Sequence, residues 1–400
     1  MSNIDTCQFQ QIEIDNQAPG TRSIGVQYIA DKPAPIQVSV GQYETRDVYQ
    51  QCAKQFDENV LYGNPKAAEI WHERIHMLAD DAEALRNSLG LEDEIACDEL
   101  MRPLMLLNAT GRYAEAVQYG KNARVRLGDR FDVSRPYFQT AAAELDVYYA
   151  QALAYTGQTD TALHLLRRVA AELDVVHDPD VDLGQYPELR RRRVLGRAHN
   201  NLGHILESED QLLEARREFW IALAYFPVSE LGEEWANTHD NLGRTYVRLC
   251  DPEHAWEHLD QSWIMRESLG WPHCLALSLT SRSNAYHEFG HGQRAEKLAW
   301  EALMLFRQVG SRRGIGLACI ALARALRRVC EERRMSSQER MFRLDEAERY
   351  LRQAISIFEH EVCEPIRLAE AYDELVGTSR DKMATCWIDS TAVETARSAA

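Results

Sequence analysis

A chain of 400 residues with 45 Lys and Arg against 62 Asp and Glu carries a formal charge of −17, which argues against general binding to nucleic acid or anionic membranes. Hydrophobic residues at 45% and charged residues at 27% exclude a disordered or fibrous chain. The length asks for two or three domains or one long repeat array. The nine cysteines show no zinc or thioredoxin-like spacing, so free, mostly buried thiols in a reducing cytosol are expected. The polar N-terminus is not a signal peptide. No run of roughly 18 apolar residues predicts a transmembrane helix.

In chain order, residues 1–44 contain the alternating stretches QFQQIEID, RSIGVQYIAD and APIQVSVG, separated by Pro and Gly. They predict two or three strands, a β-rich N-terminal segment able to cap the first helix pair. Residues 45–376 then read as an array of about seven helix pairs. Three segments start 40 residues apart, at Arg197, Asn237 and Leu277. Each has an apolar helix, a short polar or Gly break, and a second helix with a small residue. Weaker copies flank them, so the small residue recurs at Ala68, Ala116, Ala162, Ala215, Ala255, Ala295 and Ala347. Self-similarity at such a period is the mark of a solenoid. The extra residues fall between helices, before Leu189 and before Arg343, where an array tolerates insertion. The charged 331–343 insert is expected to be mobile or a partner loop. After Pro365 one closing helix is expected, then a polar, loosely ordered C-terminal tail over 377–400.

The pattern resembles the tetratricopeptide repeat over about Tyr49 to Val376. Leu202-Gly203 and Leu242-Gly243 match the family's apolar-then-small pair, and Tyr246 and Tyr286 the large residue that comes next. Ala215, Ala255, Ala295 and Ala347 match the small second-helix position, which lets antiparallel helices approach closely. The 40-residue period is similar to the kinesin light chain version and to the sensor arrays of large bacterial signalling ATPases and regulators. No GxxxxGK[ST] loop accompanies it. The resemblance implies an all-α, right-handed superhelix whose concave surface holds peptides or protein segments, and no cofactor.

Polar residues on the first helix of each pair are therefore the binding candidates. They are Arg197, Asn200, Asn201 and His204, then Asn237, Asn241, Arg244 and Arg248, then Asn284 and His287, then Arg324 and Arg327. In related arrays an Asn at the place of Asn201 and Asn241 contacts peptide backbone, which suits an amide that both donates and accepts. The arginines would add charge-assisted bonds, so an acidic ligand segment is expected. The favoured reading is a non-enzymatic, cytoplasmic, bacterial adaptor or regulatory subunit. The alternatives are the ligand- or effector-gated sensor half of a switch, and self-association.

Sharper motifs compete less well. His72-Glu73-Arg74-Ile75-His76 matches HExxH and would suit a zinc hydrolase. It lies in a second helix whose packing explains Trp71 and Ile75, and too little chain precedes it for a usual zinc-protease sheet. His254 and His258, four apart, read as a surface face. Arg190 to Arg193 reads as a solvated basic run paired with nearby acids. Trp220, Trp256, Trp263 and Trp300 read as fillers between repeats. No GxSxG or Cys-His context supports a nucleophile.

Overall fold

The structure is a computed structural model that describes residues 11–13, 35–37, 52–53, 55–56, 68, 71–72, 92–130, 136–175, 185–362 and 364–398. The chain divides into two compact units, one of 1–61 with 66–93 and one of 62–65 with 94–400. In the first, strands β1 (Gln11–Glu13) and β2 (Pro35–Gln37) pair in parallel with Ile12 opposite Ile36. Six residues do not make the β-rich segment expected of 1–44, whose remainder lies outside the described residues. Cys52, Phe56, Ala68 and Trp71 are helical and buried, and the Phe56 and His72 rings lie 5.9 Å apart. His76 and the rest of the HExxH lie outside the described residues.

The second unit is a stack of thirteen described helices. Six are first helices of a pair: α1 (Glu92–Ala109), α3 (Pro136–Tyr155), α5 (Gln185–Ser208), α7 (Gly232–Arg248), α9 (Pro272–Glu288) and α11 (Arg312–Glu332). Their partners are α2 (Tyr113–Arg130), α4 (Thr159–Val175), α6 (Leu212–Tyr225), α8 (Pro252–Leu269), α10 (Gly292–Gln308) and α12 (Ser337–His360). The last helix, α13, runs Pro365–Ser398. From α2 onward each helix packs on the next in sequence. First helices also pack on first helices, in the series α3, α5, α7, α9, α11, α13. That series forms the inner layer of an α-solenoid.

The turns inside pairs repeat one device. Gly111, Gly157, Asp210, Cys250 and Gly290 all sit at φ between 58° and 83°. The residue after each donates its amide five residues back, as from Arg112 to the Leu107 carbonyl (2.8 Å) and from Asp251 to the Tyr246 carbonyl (3.0 Å). This left-handed closure satisfies carbonyls the helix end would leave bare. Glycine adopts it without cost; Asp210 and Cys250 adopt it against their Cβ.

The small-residue register is obeyed throughout. All seven recurring alanines, from Ala68 to Ala347, are fully buried. A methyl on Gly203 would stand 2.5 Å from the Phe219 ring, and one on Gly243 2.6 Å from Leu259. Both contacts lie far inside van der Waals distance, so the first and second helices of a pair can approach only where these positions stay small.

Several expectations need correction. The 331–343 insert is absorbed into longer helices, with a cap at Ser336 and Glu339 that starts α12. The tail expected to be loose beyond 377 continues α13 to Ser398. Its inner side is tied down, by Arg327 to Asp381 (2.8 Å) and by Lys382 to Asp345 (2.6 Å) and Glu348 (2.8 Å). Arg190 is buried, not solvated, and joins Asp98 of α1 (2.9 Å) to Glu144 of α3 (2.8 Å). Trp220 and Trp300 are about half exposed rather than gap-filling. Trp300 stands over a cavity of about 420 Å³ floored by Leu322 and Leu326. Among the described cysteines none is paired, and five of the seven are buried.

Within the second unit the winding brings the first described pair against the turn after α12. A methyl on Gly111, in the first pair, would stand 2.6 Å from the Val362 carbonyl, between α12 and α13. Beside this contact Tyr113 stacks on Tyr155 with centroids 4.4 Å apart. The Arg313 guanidinium lies near the Tyr113 ring and forks onto Glu364 at 2.9 and 3.0 Å. No helix among the described residues is long and apolar enough to cross a membrane.

Candidate functional site

The inner layer holds the binding candidates named from the sequence, and the 40-residue period arranges some of them in a line. His204, Arg244, Asn284 and Arg324 are 40 residues apart and occupy one position on α5, α7, α9 and α11. Equivalent positions on parallel helices make a row across the layer.

Most of these side chains tie one first helix to the next. Asn241 donates from Nδ2 to Asn200 Oδ1 (2.9 Å), and Thr238 donates to the same oxygen (3.2 Å). Arg244 donates to Asn241 Oδ1 (2.8 Å) and to Glu207 (3.3 Å). Arg248 donates to the Glu207 carbonyl (2.6 Å) and to Asp210 (2.8 Å). Arg197 bonds the Tyr148 hydroxyl on one side and Glu234 on the other (3.0 Å). Arg324 pairs with Glu370 (2.9 Å) and Glu374 (2.7 Å), and Arg327 with Glu374 (2.6 Å) and Asp381. A guanidinium holding two carboxylates has little charge left for a third.

Four of the candidates keep unmet capacity. Asn201 is half-buried and makes no side-chain hydrogen bond to a described residue. Asn284 Oδ1 and His287 Nδ1, one turn apart on α9, are buried atoms without a partner among the described residues. The His204 side chain is 40% exposed, with Glu207 only at 3.9 Å. Enclosure by the surrounding helices despite that exposure, then the charges of Arg244, Arg367 and Arg313, lower the His204 pKa below the usual imidazole range. His287 is also held low, first by burial, with Arg324 adding to it. Both imidazoles are neutral at pH 7 and offer a donor and an acceptor. Asn237 belongs to the same layer and accepts weakly from Arg266 (3.4 Å).

A polar core lies beneath this layer, and of its members the sequence did not single out Arg266, Glu233, Ser278, Ser281 and His239. Arg266 of α8 is completely buried and forks onto Glu233 of α7, with Nη2 to Oε1 at 3.0 Å. It also reaches Ser278 of α9 (3.1 Å) and Asp240 (3.5 Å). Ser281 donates to Asp240 Oδ2 (2.6 Å). His258, expected at the surface, is buried with its Nδ1 2.9 Å from His239 Nδ1. One ring donates and the other accepts, which requires the accepting ring to be neutral. Burial, then the neighbouring ring, push His239 down to about 3, and burial lowers His258 too. An i, i+4 histidine spacing looks the same whether the helix face meets water or another helix. The only signal in the sequence is His239 itself, on the neighbouring helix 19 residues earlier.

Among the described residues no group of three or more metal-ligating side chains converges.

No family model matches the chain, and no curated protein is similar to it in sequence. Solved structures are similar in fold. A signal transduction ATPase with numerous domains and a tetratricopeptide repeat sensor, from Pyrococcus horikoshii, superposes with a TM-score of 0.50 at 12% identity. The match covers 89% of this chain and 49% of that one, so this chain spans about half its length. The Rap conjugation gene regulator of plasmid pLS20, in complex with the Phr* peptide, gives 0.46 at 12% identity over 85% of this chain and 96% of that one. BtubC (BKLC) from P. vanneervenii gives 0.45 at 15% identity over 60% and 90%. The chain has the tetratricopeptide-type helical repeat fold.

Proposed function

We propose that this array is a non-enzymatic regulatory binding module that receives a protein or peptide segment on its inner layer. The observation that supports it is the unmet hydrogen-bonding capacity of Asn284 and His287, joined in the layer by Asn201 and His204. A buried amide oxygen and a buried imidazole nitrogen without partners cost stability, and an extended backbone that displaces the side chains covering them would supply donors to both. The partly neutralised arginines frame the site and set its register. Arg244, Arg248, Arg324 and Arg327 are already paired with carboxylates, so an acidic ligand is not proposed for them.

The test is affinity capture with wild type beside the Asn201→Ala, Asn284→Ala double variant. A partner lost by the variant, with melting unchanged, supports the inner site. A partner held equally by both removes it. Asn241→Ala is unsuited to this purpose, because it strips a partner from buried Asn200 and from Arg244. It should cost about 1–3 kcal/mol of stability by itself.

The contact between the first described pair and the turn after α12 favours a gated sensor as the second reading. A segment entering the inner layer would act on a ring held shut at Gly111 and Val362. Arg313→Met removes the fork to Glu364 beside Tyr113. If the contact gates the array, X-ray scattering of this variant shows a larger radius of gyration than wild type. An unchanged radius excludes the gate.

A further inference from the structure

On the outer side of the stack, α7, α9 and α11 each floor a groove between the second helices on either side. Two of these grooves hold a guanidinium of the chain itself. Between α6 and α8, Arg216 lies over the Tyr246 ring of α7 at 5.7 Å from its centroid, and His254 stacks on the same ring. Between α8 and α10, Arg282 of α9 lies over Trp256 at 5.5 Å and Trp263 at 5.8 Å, and pairs with Asp260. Beside it Arg294 lies over the Tyr286 ring at 5.7 Å. A guanidinium held on aromatic faces is the filling this side of the stack repeats.

The next groove, between α10 and α12, lacks that cation. Forty residues after Arg282 and Tyr286 the chain carries Leu322 and Leu326, both buried in the floor. With two leucines in place of a guanidinium and a ring, the cavity of about 420 Å³ opens beneath Trp300. Its walls keep the other half of the pattern. Glu296 and Trp300 stand one turn apart on α10, and Glu346 and Tyr350 one turn apart on α12. Among the described residues no cation lies over either ring. The cations nearby are engaged elsewhere or held loosely. Arg343 donates to Glu296 at 3.1 Å, Lys297 is 3.9 Å from Glu301, and Arg349 approaches Glu346 only to 3.9 Å while 71% exposed. Glu346 therefore keeps most of its accepting capacity.

From this contrast between successive grooves we infer that the one between α10 and α12 is a binding site for an arginine side chain of a basic protein segment. The planar guanidinium enters between Trp300 and Tyr350 and donates to Glu346, as Arg282 does to Asp260 beside Trp256 and Trp263. Its methylene stem covers Leu322 and Leu326. The net charge of −17 draws basic segments toward the chain, and the aromatic walls select the side chain. The site shares no residue with the inner-layer candidates, so each can be emptied without the other.

Ligand-observed NMR titration of the full chain with the peptide acetyl-Gly-Arg-Gly-amide tests this. Wild type is expected to bind it with a dissociation constant on the order of 1 mM. The citrulline counterpart keeps the shape without the charge and should bind at least about tenfold more weakly. Trp300→Leu and Glu346→Gln should each raise the dissociation constant at least about fivefold. Both residues line an open groove, and unchanged melting confirms the fold of each variant. Glu214→Gln on α6 removes the same charge outside the groove and should leave binding unchanged. A wild type that does not bind at about 10 mM peptide overturns the inference. So does equal binding of the citrulline peptide, a Trp300→Leu variant that binds as wild type does, or a Glu214→Gln variant weakened as much as Glu346→Gln.

Discussion

Two neighbouring stretches of the same solenoid are held together by opposite means. Around α7 and α8 a buried polar network runs beside the apolar contacts of Leu242, Tyr246 and Leu259: Arg266, Glu233, Asp240, His239 and His258 are buried among Ser262, Ser278 and Thr238. Around α10 to α12 the interior is apolar, built on Leu303, Phe306, Ile315, Leu322, Leu351 and Phe358. The backbone scaffold and the small-residue register are the same in both. The repeat therefore specifies how close helices come, and leaves open what fills the space between them. An apolar filling stabilises by removing surface from water. A polar filling adds little net stability but tolerates no partial removal, because each buried group depends on its partner.

The largest effects should come from breaking one partner of the polar filling. Arg266→Met leaves Glu233 buried without a cation and Asp240 with only Arg244 at 4.0 Å, and should cost about 3–5 kcal/mol. Phe306→Ala in the apolar region should cost a similar amount, about 3–5 kcal/mol, by cavity formation. The two regions separate when a second change is added. Glu233→Gln on top of Arg266→Met should recover part of the loss. No second truncation beside Phe306 should do so. Denaturant melts of these variants measure this, and a double variant no more stable than Arg266→Met would undo the distinction.

A smaller effect separates the regions by pH. The folded pKa of His239 lies at about 3, below its unfolded value near 6.5. Its contribution to stability is therefore complete above pH 6.5 and is lost as pH falls toward 3. At about 1.4 kcal/mol per unit of pH, about 2 kcal/mol disappears between pH 6.5 and 5. His273, held at about 4 by burial with Arg313 and Arg266 adding to it, acts in the same direction. His239→Gln should flatten the melting temperature between pH 6.5 and 5. An unaltered slope would show that the histidine pair does not make the polar region acid-sensitive. The smallest effect belongs to the turns: Cys250→Gly relieves a left-handed Cβ and should stabilise by about 0.5–1 kcal/mol, visible as a raised melting temperature.

The parts of this molecule that can be read in the sequence are those one repeat states about itself. Ala215, Ala255 and Ala295 announce close helix approach, and Gly111, Gly157 and Gly290 announce the left-handed turn. What cannot be read is what one repeat says to the next. Asn200 and Asn241 both look like exposed amides on first helices, yet they bond each other across 41 residues. Arg324 looks like a groove cation until Glu370 and Glu374 arrive from α13. A first-helix polar residue has the same local pattern whether it meets a ligand or a neighbour, so only geometry separates Asn284 from Asn241. The helix past residue 377 is hidden in the sequence because its composition is small and polar, and its order comes from Arg327 and Lys382 contacts made at a distance along the chain.

The meeting of Gly111 with Val362 changes the statistical mechanics of the stack. In an open row of repeats each unit is held only by its two neighbours, the end units by one, and unfolding propagates inward from a frayed terminus. Once the first described pair touches the turn after α12, the row of couplings becomes a loop. Peeling the first described pair away from α3, the neighbour of α2, then also breaks its contact with the Val362 turn. Such a stack loses its weakest boundary and should melt as fewer, larger cooperative units than an open array of the same repeats.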